Sequence, residues 1–165
     1  MKQTGITKLG KPSTVKLISL LVGSKEIPKR RLGDVEWQKD GKSIIIEVKR
    51  NTPNQTRPML YNVLVVHFVK NGKNDFYVIP PDDVLKICTG YRGQHTPIAS
   101  ACFNFPMNKT TMAKYLVSTG EAGVADAVCA AYDQGEKSPL KKIALQIVDD
   151  VEKSNENYND MVLNA

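Results

Sequence analysis

The dipeptide Asp40-Gly41, set inside GDVEWQKDGKSIIIEVKR from Gly33 to Arg50, constrains this chain more than any other stretch. Asp-Gly supplies the positive φ angles of a two-residue type I′ turn, and β-branched and aromatic runs flank it, so the stretch reads as a β-hairpin. That turn fixes the register. Lys39 then faces Lys42, and Asp34 lies directly across from Glu47, with Cβ atoms about 5 Å apart. Side chains alternate along a strand, so Glu36, Ser43, Ile45 and Lys49 share the face of the two carboxylates, while Val35, Trp37, Ile44, Ile46 and Val48 take the other. The second face is wholly apolar and has to be buried.

Like charges opposed across a strand pair destabilise a sheet, so the two acids need an offsetting cause. A divalent cation is the simplest. Asp34, Glu47, the backbone carbonyl of Val48 and several waters form the hard, oxygen-rich donor set that Mg²⁺ prefers. Lys49, two residues on, adds an ammonium that can orient or deprotonate a water or stabilise charge growing on a phosphate. The alternative is a surface hairpin with scattered charges, in which Glu47 pairs with Lys49 or Lys39.

An Asp at the start of one strand, followed by Glu-x-Lys at the end of an aliphatic neighbour, resembles the PD-(D/E)XK nuclease superfamily of restriction endonucleases and Holliday-junction resolvases. The matching residues are Asp34, Glu47 and Lys49. Gly33 stands where the motif's name has proline. The resemblance covers about Ser13 to Pro81 and implies a restriction-endonuclease-like core, a central mixed β-sheet flanked by helices. It also implies metal binding by the two acids and Mg²⁺-dependent phosphodiester hydrolysis with Lys49 catalytic; Mn²⁺ is expected to substitute. Many members carry a further acid upstream, for which Glu26 is the candidate here.

The 165 residues favour a single domain, a core over about 13–105 followed by a helical C-terminal region over about 110–157. No apolar run approaches the ~18 residues of a membrane span and the N-terminus lacks a signal-peptide core, so a cytoplasmic protein is expected. Cys88, Cys102 and Cys129 are odd in number and widely spaced, which argues against a disulfide framework or a zinc site. The net charge of +6 is uneven: 13 Lys/Arg against 5 Asp/Glu through Arg57, 10 against 12 after it. The acid site therefore sits in the basic half, which suits a polyanionic substrate.

In chain order, Ser13 is placed to cap a helix through TVKLISLLV that stops at Gly23 and covers the hairpin's apolar face. Lys25, Lys29, Arg30 and Arg31 then form a basic loop suited to backbone phosphates. Arg50, at the end of the hairpin, is a further candidate contact to DNA, and past it the loop NTPNQTRP offers Asn51, Asn54, Gln55 and Arg57 to base edges or phosphates. Asn71-Gly72 signals a second hairpin, whose first strand, YNVLVVHFV, is apolar enough to be buried on both faces at the sheet centre. His67 within it reads as a core histidine. A short helix starting at Asp82 or Asp83 follows, then a polar loop, YRGQHTP, with Arg92, Gln94 and His95 as further candidate contacts. IASACFNF is compatible with one more strand. MAKYLVS, EAGVADAVCAAY and PLKKIALQIVDDVEKSNEN read as helices, the last with an apolar stripe on which a homodimer can form.

Together these readings predict a Mg²⁺-dependent endonuclease cutting duplex DNA, with no nucleotide cofactor and no membrane. A junction resolvase is the nearest alternative. A nucleic-acid-binding protein without catalysis is the alternative of another class.

Overall fold

Both Xaa-Gly turns form, and they organise the sheet. In the computed structural model, which describes residues 11–26, 33–51, 55–58, 61–92, 102–106 and 108–137, Asp40 and Gly41 have φ of 50° and 74°, and Asn71 and Gly72 have 51° and 77°. These are the left-handed pairs that a type I′ turn demands. The first turn places Lys39 opposite Lys42 and the second Lys70 opposite Lys73, the registers that the two dipeptides predict.

The strands in chain order are β1 (Lys25–Glu26), β2 (Val35–Lys39), β3 (Lys42–Arg50), β4 (Gln55–Thr56), β5 (Val63–Lys70), β6 (Lys73–Ile79), β7 (Thr89–Arg92) and β8 (Cys102–Asn104). Five of them make one mixed sheet in the order β1-β2-β3-β5-β6, with β3 and β5 parallel and the other neighbours antiparallel. A parallel step requires a crossover, which residues 51–62 supply. β4, β8 and β7 form a second, three-stranded antiparallel sheet.

Alternation decides which face meets which helix. Val35, Trp37, Ile44, Ile46 and Val48 are buried as the hairpin predicts, against Val15, Ile18 and Val22 of α1 (Lys11–Val22) and Val124 and Val128 of α4 (Val124–Glu136). On the opposite face Leu64, Val66, Phe68, Tyr77 and Ile79 pack with Tyr61, Phe105, Val84 of α2 (Pro81–Ile87) and Met112 of α3 (Lys109–Met112). β5 contributes to both clusters and is buried on both faces up to Lys70. The middle strand of the sheet, however, is β3.

Several local expectations are corrected. α1 begins at Lys11, so Ser13 lies in its first turn instead of capping it; Pro12 tolerates that position because the N–H it lacks would have no helical partner. Lys25 and Glu26 pair with Glu36 and Val35 as β1, where a loop was expected. α2 begins at Pro81 with Pro80 as its cap, which leaves Asp82 and Asp83 in the first turn, where carboxylates suit the helix dipole. MAKYLVS gives only the end of α3, capped by Asn108, and a 3-10 turn over Ala113–Tyr115; Leu116 then bridges to Tyr77. Tyr91 and Arg92 belong to β7 instead of a loop. The last predicted helix, PLKKIALQIVDDVEKSNEN, lies outside the described residues.

Candidate functional site

The site begins where β2 runs out. Val35 faces Ile46, yet the N–H of Asp34 also donates to the Ile46 carbonyl, at 2.9 Å. Two consecutive residues thus address one, a bulge-like offset that takes Asp34 out of the strict register expected opposite Glu47. Gly33 is packed onto the same strand, and a Cβ there would lie 2.8 Å from Ile45 Cγ2 and 3.0 Å from the Ile46 oxygen. The chain is pressed against β3 at this point.

The offset turns the Asp34 carboxylate toward the edge of β3. Its Oδ2 accepts a hydrogen bond from the Val48 N–H at 2.9 Å, and the residue is only 2% exposed. The carboxylate thereby stands in for the strand carbonyl that β2 would have supplied. Within a strand a residue's N–H and C=O point to the same edge, so the Val48 carbonyl faces the edge that holds Asp34.

Glu47 and Lys49 flank Val48 and project to the face shared with Leu64 and Val66, their partners on β5. Lys49 Nζ and Glu47 Oε1 are 2.9 Å apart, with the side chains 24% and 16% exposed. This is the pairing that the alternative sequence reading named. On the same face Glu36 and Ser43, toward the turn, are exposed and hydrogen-bonded to each other, whereas Tyr61 and Leu64 are buried. The ion pair lies at the border between open and covered sheet. Tyr61, whose hydroxyl is hydrogen-bonded to Thr56 Oγ1, has its pKa pushed up by burial, and the charge of Glu47 adds to the shift.

Two asparagines clamp the ends of the parallel β3-β5 pair that carries Glu47 and Lys49. At one end Asn62 donates its N–H to the Ile45 carbonyl and accepts the Ile45 N–H on Oδ1, both at 2.8 Å. At the other, Asn51, with φ of 57°, donates its N–H to the His67 carbonyl and accepts the Val69 N–H on Oδ1, again at 2.8 Å. The side chain of Asn51, expected to contact base edges or phosphates, uses its oxygen to extend the ladder.

The remaining candidates separate. Arg50 is the register partner of His67 and so lies on the α1 face, opposite Lys49. His67 is fully buried: Nε2 is 2.9 Å from Asn74 Oδ1, Nδ1 is 3.4 Å from Thr14 Oγ1, and the ring stacks on Phe76 with centroids 4.6 Å apart. It is a core histidine. Burial lowers its pKa most, and the Arg50 charge lowers it further. Gln55 lies in β4 opposite Asn104, Arg92 in β7 opposite Cys102, and Arg57 is exposed. Lys29, Arg30, Arg31, Asn54, Gln94 and His95 lie outside the described residues.

Sequence reasoning missed Thr56, Tyr61 and Asn62. Only Tyr61 carried a signal, as an aromatic at the start of an apolar run. Among the described residues no group of three or more His, Cys, Asp and Glu side chains gathers, and no helix is long and apolar enough to cross a membrane. Neither a scan against protein-family models nor a search of curated proteins returns a match for the chain.

Proposed function

We propose that the chain is a Mg²⁺-dependent DNA endonuclease of the PD-(D/E)XK type, hydrolysing phosphodiester bonds in duplex DNA as restriction enzymes do. The observation that carries this reading is the hydrogen bond from Val48 N–H to Asp34, which fixes a buried carboxylate beside the Glu47-Lys49 pair. A helix, a hairpin and a parallel crossover strand in one mixed sheet also suit a restriction-endonuclease-like core. In this chain the crossover departs from the superfamily's usual helix: its described residues carry the short strand β4.

Mg²⁺ binds through one or two carboxylates and keeps several waters, so two acids and a carbonyl are a sufficient donor set. Asp34, Glu47 and the Val48 carbonyl would hold the ion, which when bound supplies Lewis acidity toward a phosphate oxygen and a water of lowered pKa. The chain's own residues do the positioning. Val48 N–H holds one oxygen of Asp34 and so orients the other. Glu47 tethers the Lys49 ammonium, which is then available to meet negative charge growing on the phosphate. Cutting both strands calls for two such sites, hence a homodimer; the segment expected to form it lies outside the described residues.

The test is cleavage of plasmid DNA and of a synthetic four-way junction, side by side, in Mg²⁺ and in EDTA. Discrete plasmid fragments from wild type in Mg²⁺, and none from Asp34→Ala, are the expected result. Symmetric nicking of the junction alone would make the protein a resolvase. Binding of both without cleavage would leave a nucleic-acid-binding protein.

A further inference from the structure

The two hairpins carry nearly the same turn, Lys39-Asp40-Gly41-Lys42 and Lys70-Asn71-Gly72-Lys73, and each sets two lysines directly opposite one another. Opposed like charges weaken a sheet unless something offsets them. At the first turn neighbours do so: Lys42 Nζ lies 3.7 Å from Asp133 Oδ1 and 5.8 Å from the Tyr132 ring centroid, and Lys39 Nζ lies 5.0 Å from that of Trp37. At the second turn Lys70 and Lys73 are both exposed, and neither side chain has an ion-pair, ring or hydrogen-bond partner among the described residues.

Their position is specific. β3 and β5 are parallel with Lys49 beside Val66, so Lys70 lies four residues further along β5 and, by alternation, on the same face as Glu47 and Lys49. Lys73, across from Lys70, shares that face. The first turn is at the opposite end of β3. Among the described residues of β5 and β6 on this face the only acid is Asp75, half-buried and opposite Phe68. At ~3.3 Å per residue, Lys70 stands about 13 Å beyond Lys49.

We infer that the tip of the second hairpin, Lys70 and Lys73, is a phosphate clamp for the backbone of duplex DNA, gripping a phosphate beyond the one that Lys49 addresses. The inference rests on the endonuclease reading for its substrate. A phosphate between the two ammonium groups turns a repulsion into two charge-assisted contacts, and it reads no sequence.

The experiment is titration of the full chain with a 30-base-pair duplex in EDTA, which prevents cleavage, across a range of salt concentrations. Removing both charges, as Lys70→Ala with Lys73→Ala, should weaken binding at least threefold and flatten the slope of log K against log salt by about 0.9, the value for the one phosphate that they share. Lys70→Arg with Lys73→Arg should restore the slope, because the charge returns. The matched pair Lys39→Ala with Lys42→Ala should leave it unchanged. An unaltered slope in the Lys70/Lys73 double alanine variant, with wild type bound and cleavage still dependent on Asp34, overturns the clamp and leaves the endonuclease standing. Wild type that fails to bind the duplex at low salt overturns both.

Discussion

Hairpins β2-β3 and β5-β6 share a turn sequence and a turn geometry, yet they are used in different ways. The β5 strand is buried on both faces, so its polar side chains either sit at the exposed tip, as Lys70 does, or find a partner on β6, as His67 does in Asn74. The hairpin β2-β3 is wholly apolar only on the α1 face; on the other, Glu36, Ser43, Glu47 and Lys49 stand with Ile45 among them. Chemistry is possible on the hairpin that is half covered. The difference comes from layering, because α2, α3 and Phe105 cover the β5-β6 half of that face.

If the hairpins are equal partners in the core, truncating either should cost about the same. Ile46→Ala and Phe76→Ala each remove a fully buried side chain, and each should lower unfolding free energy in urea by about 2–5 kcal/mol. A loss confined to one would mean that the other hairpin folds onto a preformed layer. Asp34→Ala sharpens the contrast between the two acids. It strips the Val48 N–H of its acceptor and should cost about 1–3 kcal/mol in the same assay, whereas Glu47→Ala, which breaks only a partly exposed ion pair, should cost well under that.

The turns themselves should respond alike. Gly41 and Gly72 both have positive φ with open space where a Cβ would go, so Gly41→Ala and Gly72→Ala should each cost about 1 kcal/mol from backbone strain alone. The smallest effect concerns pH. The His67 pKa is lowered on folding, so the neutral ring's contribution is complete above its ordinary value of 6.5 and is lost as pH falls toward the depressed one. The melting temperature of wild type should therefore drop between about pH 7 and pH 5, and His67→Gln should flatten that drop.

How much of this was legible depended on the range of the cause. The turns, both registers, the buried faces and the role of His67 follow from dipeptides and alternation, which act over a few residues. The offset at Asp34 was not legible, because it arises from Gly33 packing onto β3, a contact that no local pattern encodes. The small sheet β4-β8-β7 joins residues nearly 50 apart through strands of two to four residues, too short to show a period. Asn51 was expected to contact base edges or phosphates, and Asn62 to lie in the strand YNVLVVHFV. Their use as ladder clamps is set by where the parallel strands end, which the sequence marks only by the asparagines themselves.

We propose that Asp34 serves metal-dependent hydrolysis as well as the fold, and Asp34→Asn separates the two. The amide keeps an oxygen for the Val48 N–H and removes the charge. Measured together, urea stability and cleavage of plasmid DNA in Mg²⁺ should give a variant that unfolds like wild type and does not cut. A variant that is equally stable and cuts at the wild-type rate would contradict the claim, leaving Asp34 a purely structural residue.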